Sequence, residues 1–180
     1  MVNKKFWRNR KVLVTGHTGF KGSWLMEILI HLGAQPFGIA LKPKILPSLF
    51  DDLNLSKRVH NNIVDIKNLD KLTKVIEKIN PEILIHMAAQ PLVIESYRNP
   101  IETFQTNIIG TANVLEACRN LDDLRCIISV TTDKVYAQKT NNNAFKEDDI
   151  LGANDPYSSS KVCAEHITKS FFKSYFFCLV

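Results

Sequence analysis

Tyr157 and Lys161 stand four residues apart in PYSSSK, a spacing that puts both side chains on one face of a helix. A phenol has an unperturbed pKa of about 10. A cation held beside it stabilises the phenolate and brings it toward the range of a general base. Such a pair arises often by chance, and its weight comes from what precedes it. In VLVTGHTGFKGSWL, Gly16, Gly19 and Gly22 recur every third residue where an apolar strand passes into a helix. In a strand, turn and helix of this kind the first glycine permits the tight turn and the second lets a pyrophosphate reach the backbone. The third lets helix and strand pack closely. The helix N-terminus adds free N–H groups and partial positive charge for the phosphates. The spacing points to a dinucleotide, against the alternative of a tight turn without a ligand.

A dinucleotide site that takes NAD usually carries an acid at the end of the second strand for the ribose hydroxyls. Here IALKPK supplies Lys42 and Lys44 instead. Lys42 either faces a 2'-phosphate, which favours NADP, or is a solvated loop lysine. Asp65, in IVDIKN at the end of the third strand, is placed to touch an adenine base. It also suits the start of the next helix, and the two roles are compatible.

These residues need a scaffold. Apolar runs predict strands at Lys11 to Thr15, Pro36 to Leu41, Asn62 to Ile66, Glu82 to Met87 and Arg125 to Val130. Helical patterns alternate with them at Phe20 to Leu32, Asn68 to Ile79 and Ile101 to Arg119, with a last helix from about Pro156 towards Tyr175. The alternation implies an α/β fold, a doubly wound parallel sheet with helices on both faces. After the last helix the chain stops at SYFFCLV with no further strand, so the sheet is expected to be unfinished.

The 180 residues suffice for one sizeable core, and no Pro/Gly/Ser-rich linker divides them, so residues 1–180 read as one dinucleotide-binding domain. The net charge of +5 comes from dispersed lysines, as in KTNNN, with no basic stripe interleaved with aromatics, which argues against nucleic acid. Cys118, Cys126, Cys163 and Cys178 lack C-x-x-C spacing and read as buried free thiols of a reducing cytoplasm, with no metal site expected. The basic start carries too short an apolar run for a signal peptide, and no stretch approaches the ~20 apolar residues of a membrane helix. A cytoplasmic protein without a membrane partner is the expectation.

Six longer stretches, VLVTGHTGFKGSWL, PSLFDDLNL, HMAAQPLV, SYRNPIETFQTNIIGTANVLEA, TTDKVY and DPYSSSK, carry a likeness that runs from Phe6 and Trp7 to the final helix. On them the chain resembles the extended short-chain dehydrogenase/reductase family, and within it the sugar-nucleotide 4,6-dehydratases. The resemblance implies a Rossmann-like fold, an NAD cofactor, a nucleotide-linked hexose as substrate and a homodimer formed through the two long helices. It places cofactor contacts on Gly16, Thr18, Gly19, Phe20 and Gly22, on Asp65 and Ile66, and on Ala88, Ala89 and Gln90 after the fourth strand. Asn107 takes the family's structural asparagine position, and Tyr157 and Lys161 serve cofactor and catalysis together. Thr132 falls on the third member of the active-site triad, at the C-terminal edge of the fifth strand, where ligands bind in such sheets.

By the same resemblance, Asp133 and Lys134 separate dehydration from simple epimerisation. Eliminating water across C5 and C6 needs an extra acid and an extra base, and these two residues are the candidates. A lysine where the dTDP-glucose and GDP-mannose enzymes carry Glu favours CDP-glucose as substrate, converted to its 4-keto-6-deoxy form. Tyr157, beside Lys161, would take the C4 hydroxyl proton, Lys134 or a neighbour the C5 proton, and Asp133 would protonate the departing C6 hydroxyl. Two positions depart from the family: Lys42 replaces a common acid, and Ile94 stands where an arginine is expected. Relatives also continue into another strand, a glycine-rich loop and a C-terminal substrate domain. The 180-residue chain alone is therefore expected not to turn over CDP-glucose, to leave Phe171, Phe172, Tyr175, Phe176 and Phe177 poorly covered, and to self-associate. A non-catalytic dinucleotide-binding fragment and another NAD-dependent sugar-nucleotide epimerase or dehydratase are the alternative readings.

Overall fold

The computed structural model describes residues 2–137 and 144–176; the KTNNN run, Phe177 and Cys178 lie outside them. Five strands, β1 Lys11–Thr15, β2 Gln35–Ala40, β3 His60–Ile63, β4 Ile83–His86 and β5 Cys126–Ser129, form one sheet in the order β3-β2-β1-β4-β5. Every pairing is parallel, with Val12 opposite Pro36 on one side and Ile83 on the other. β1 is the pivot: the chain winds outward to β2 and β3, then crosses back to β4 and β5. The crevice for ligands in such a sheet opens at this reversal, outside the carboxyl ends of β1 and β4.

The helices are α1 Lys4–Trp7, α2 Phe20–His31, α3 Leu49–Asp52, α4 Leu69–Ile79, α5 Val93–Arg98, α6 Pro100–Phe104, α7 Gly110–Ala117 and α8 Pro156–Tyr175. Alternation along β1 splits the core between two layers. Val12 and Val14 pack with Met26 and Leu29 of α2, Phe50 of α3 and Ile83 and Ile85 of β4. Leu13 faces the opposite way, into Leu72 and Ile76 of α4, Val114 and Leu115 of α7, and Leu84 and Ile127. Helix α4 shows why a sequence stops and starts where it does. Asn68 caps it by accepting the Lys71 N–H at 3.0 Å, an apolar stripe faces the sheet, and Asn80 ends it in the left-handed region at φ 45°.

The α/β parallel sheet expected from the sequence is the fold found, with local differences. β3 was expected at Asn62 to Ile66 but runs two residues earlier at its start and ends at Ile63, because its partner β2 ends at Ala40. Asp65 then turns the chain, its carboxylate accepting the Lys67 N–H at 2.9 Å. The long helix expected from Ile101 to Arg119 begins at Pro100 and divides into α6, a π-helical stretch Gln105–Ile109, and α7. Before it stands the unforeseen α5. Of the C-terminal aromatics expected to be poorly covered, Phe176 is buried and Phe171 and Phe172 pack against the α4 and α7 layer, whereas Tyr175 is exposed as expected. Tyr175 lies under the Arg119 guanidinium, 4.3 Å from the ring centroid.

Candidate active site

The glycine turn is built as its spacing requires. Gly16 sits at φ 77°, where a side chain is strained, and a Cβ there would stand 2.8 Å from the Ala88 main-chain nitrogen. A Cβ on Gly22 would overlap the Gly16 carbonyl and reach 2.7 Å from His17 Cα, so this glycine serves close packing of α2 on the turn. Gly19 differs. It is exposed, and a Cβ would meet only the Gly16 oxygen, at 3.3 Å. As N-cap of α2 it offers no side-chain acceptor, and the first turn of this 12-residue helix holds no acid. The open side of the turn, with helical N–H groups and no competing carboxylate, fits a dinucleotide pyrophosphate. Phe20 stands exposed beside it, while the Thr18 hydroxyl donates to the Leu41 carbonyl at 2.8 Å and holds the end of β2 against the turn.

A buried polar chain then fixes the loop after β4. Thr15 Oγ1 accepts the N–H groups of Met87 and Ala88, each at 3.1 Å, so its own proton goes to His86 Nδ1, 2.7 Å away. His86 therefore carries its proton on Nε2 and donates it to Thr111 Oγ1 at 3.0 Å, and Thr111 donates onward to the Asn107 carbonyl at 2.7 Å. Burial, with a smaller push from the Lys161 charge, drives the His86 pKa down to about 3, so the ring is neutral. Asn107, in the π-helical stretch, holds Gln90 by its main chain and donates to Ser160 Oγ of α8 at 2.8 Å. Ala88, Ala89 and Gln90 are thus brought beside the glycine turn and tied to the helix that carries Tyr157.

Helix α8 starts at Asp155, whose carboxylate accepts the Ser158 N–H at 3.0 Å, with Pro156 in the first position where its missing N–H costs nothing. The Tyr157 N–H donates to Ser96 Oγ of α5 at 3.1 Å, so α5 sets where the tyrosine enters. Lys161 lies almost fully buried and donates to the Val130 carbonyl, 2.9 Å away, at the end of β5. From the same loop Thr131 donates to Glu165, one turn beyond Lys161, at 2.7 Å. The Thr132 hydroxyl donates to the Asp133 carboxylate at 3.2 Å and accepts the Lys134 N–H at 3.4 Å, and it lies near enough to the Tyr157 phenol to lower its pKa, which brings the two triad candidates together.

The phenol corrects one expectation. Its pKa is raised, first by burial and further by the Asp133 and Asp155 charges, against a lowering by Thr132. The lysine charge expected to lower it is drawn to the Val130 carbonyl. Lys161 itself is lowered by burial, and Glu165 works against that. Asp133 and Lys134 stand exposed on a short 3-10 turn, Asp133–Val135, capped by Thr132. Ile66 has its side chain in the core and its carbonyl bonded to Asn113, and Asp65 shares Lys67 with Glu102. Ile94 is exposed.

Several site-building residues were not foreseen. Asp155 carried a readable signal, an acid before proline at a helix start. His86, Thr15, Thr111, Ser96 and Glu165 carried none, since each acts on a partner distant in sequence.

The family described as GDP-mannose 4,6 dehydratase matches residues 13–180. The chain is 43% identical over 176 residues to a CDP-glucose 4,6-dehydratase of Salmonella typhimurium, covering 98% of this chain and 49% of that protein. Among solved structures it resembles the UDP-glucose 4-epimerase of Thermotoga maritima with UDP-glucose, at TM-score 0.81 and 25% identity over 92% of this chain and 52% of that one. It also resembles the Thermus thermophilus UDP-glucose 4-epimerase complex with NAD, at TM-score 0.79 and 27% identity, covering 92% of this chain and 51% of that one. The chain spans about half the length of the relatives it matches.

Proposed function

Since the chain belongs to the GDP-mannose 4,6-dehydratase family, we propose that it supplies the dinucleotide-binding and acid-base part of an NAD-dependent dehydratase acting on CDP-glucose. One observation carries the reading: Thr132 and Tyr157, near enough for the hydroxyl to act on the phenol, stand at the same carboxyl edge of the sheet as the open glycine turn. Gly16, Thr18, Gly19, Phe20 and Gly22 would hold the pyrophosphate side of the cofactor, Asp65 and the Ile66 main chain the adenine side, and Ala88 to Gln90, Asn107, Tyr157 and Lys161 the other end. When bound, NAD supplies a reversible hydride acceptor.

The residues divide the proton work. Tyr157 would take the C4 hydroxyl proton as the phenolate, a form that burial and the Asp133 and Asp155 charges disfavour and that Thr132 beside it favours. Lys161, fixed by Val130 and countered by Glu165, is the cation on the same helix face. Oxidation at C4 acidifies C5, from which Lys134 or a neighbouring base removes a proton. Asp133 gives a proton to the leaving C6 hydroxyl. The exposure of Asp133 and Lys134 suits groups that meet substrate. Two copies would meet through the outward faces of α6, α7 and α8, where Ile101 and Ile109 are exposed. A single domain over residues 1–180 and a cytoplasmic setting belong to the same proposal; among the described residues no helix is long and apolar enough to cross a membrane.

Incubation with CDP-glucose and NAD, in a polypeptide containing this chain, should yield the 4-keto-6-deoxy product. Asp133→Asn should allow exchange at C5 yet slow loss of water, and Tyr157→Phe should lower turnover by roughly 10²–10⁴-fold. Product formation from CDP-galactose with no loss of the C6 hydroxyl would point to the epimerase alternative instead.

A further inference from the structure

The adenosine end of the site is unusual in its charges. A turn that selects NAD places a carboxylate at the end of β2, where it bonds the ribose hydroxyls and repels a 2'-phosphate. Here that end is Leu41 and Lys42, and it is held against the glycine turn by the Thr18 hydroxyl on the Leu41 carbonyl. Lys42 is exposed and, among the described residues, has no hydrogen-bonding or ion-pair partner. Asp65 after β3 and Glu102 on α6 are already engaged with Lys67. Lys67 bonds Glu102 at 2.5 Å and stands 3.7 Å from Asp65, whose other oxygen accepts the Lys67 N–H. Lys44 adds its charge to the same group by acting on Glu102. Lys67 and Lys44 thus act on these carboxylates, and the first turn of α2 holds Lys21 and no acid.

We infer that Lys42 makes this a site without discrimination against a 2'-phosphate, so that it binds NADP with an affinity within tenfold of NAD. This rests on the reading of the glycine turn as a dinucleotide site. The positive end of β2 offers the 2'-phosphate an unpaired ammonium at the place where an NAD-selective site offers repulsion. The unphosphorylated ribose loses a carboxylate acceptor at the same place. Both effects move the ratio of affinities in the same direction.

The test is direct binding by calorimetry of NAD and NADP to the purified chain, to Lys42→Asp and to Lys42→Ala, with 5'-AMP and adenosine 2',5'-bisphosphate as smaller probes. The expected result is a ratio of dissociation constants, NADP over NAD, below ten in the native chain. In Lys42→Asp the ratio should rise at least tenfold, with Lys42→Ala between, and the bisphosphate should follow NADP. A native ratio above ten, or a ratio that Lys42→Asp leaves unchanged, overturns the inference while the dinucleotide reading stands. No binding of either dinucleotide removes the dinucleotide reading and this inference together.

Discussion

Asn107 grips Gln90 by both of its main-chain polar groups, Oδ1 accepting the N–H at 2.8 Å and Nδ2 donating to the carbonyl at 3.1 Å. The same amide reaches Ser160 on α8. One side chain therefore sets the distance between the loop after β4 and the tyrosine helix. Asn107→Ala leaves buried groups without partners, at about 1–3 kcal/mol for each. Urea unfolding should show that loss.

His86 makes stability depend on acid. Its folded pKa of about 3 lies below the ordinary 6.5, so the unfolded chain binds the extra proton between those values. The contribution is whole above pH 6.5 and is lost as pH falls toward 3, by up to about 1.4 kcal/mol per unit. Chemical denaturation from pH 7 to 4 should show a steeper decline in the native chain than in His86→Gln.

The three glycines of the turn should fail in different ways. Gly22→Ala drives a methyl group into the Gly16 carbonyl, so loss of folded protein is the expected outcome on a thermal melt. Gly19→Val meets little within the protein, so the variant should fold, yet it fills the open side of the turn and should lose NAD binding in calorimetry. Undiminished binding by folded Gly19→Val would move the pyrophosphate elsewhere.

Tyr157 should titrate above the ordinary phenol value, because burial and two carboxylates disfavour the phenolate. Carbon-13 NMR of ring-labelled tyrosine, assigned by Tyr157→Phe, reads this directly. Asp133→Asn removes one of the opposing charges and should bring the titration down, whereas Thr132→Val removes the hydroxyl that works to lower it and should push it up.

Local features were the legible ones. β1 occupies the residues its apolar run marks, and α2 begins at Phe20 as its glycines require, because an apolar run and a glycine turn with φ above zero are local features. The end of β3 was misplaced since pairing with β2, rather than its own apolar residues, decides where it stops. The polar chain through Thr15, His86, Thr111 and Asn107 spans strands and a helix far apart in sequence, and residue types alone do not reveal that they meet. The direction of the Tyr157 shift was missed for the same reason. A four-residue spacing shows that Lys161 shares a helix face, but not that the Val130 carbonyl claims its ammonium.

The π-helical stretch Gln105–Ile109 amounts to one residue more than an α-helix between Pro100 and Ala117 would need. Removing one residue here would let α6 and α7 knit into an unbroken helix with regular hydrogen bonds. It would also rotate everything on one side of the repair by about 100° relative to the other. Asn107 and Thr111 would then no longer present their polar atoms to Gln90 and His86 together. Such a deletion should give a helix as good as or better than the native one and a protein with a disordered cofactor loop. Helical continuity and a working site are competing demands on this segment, and the extra residue marks where the site prevailed.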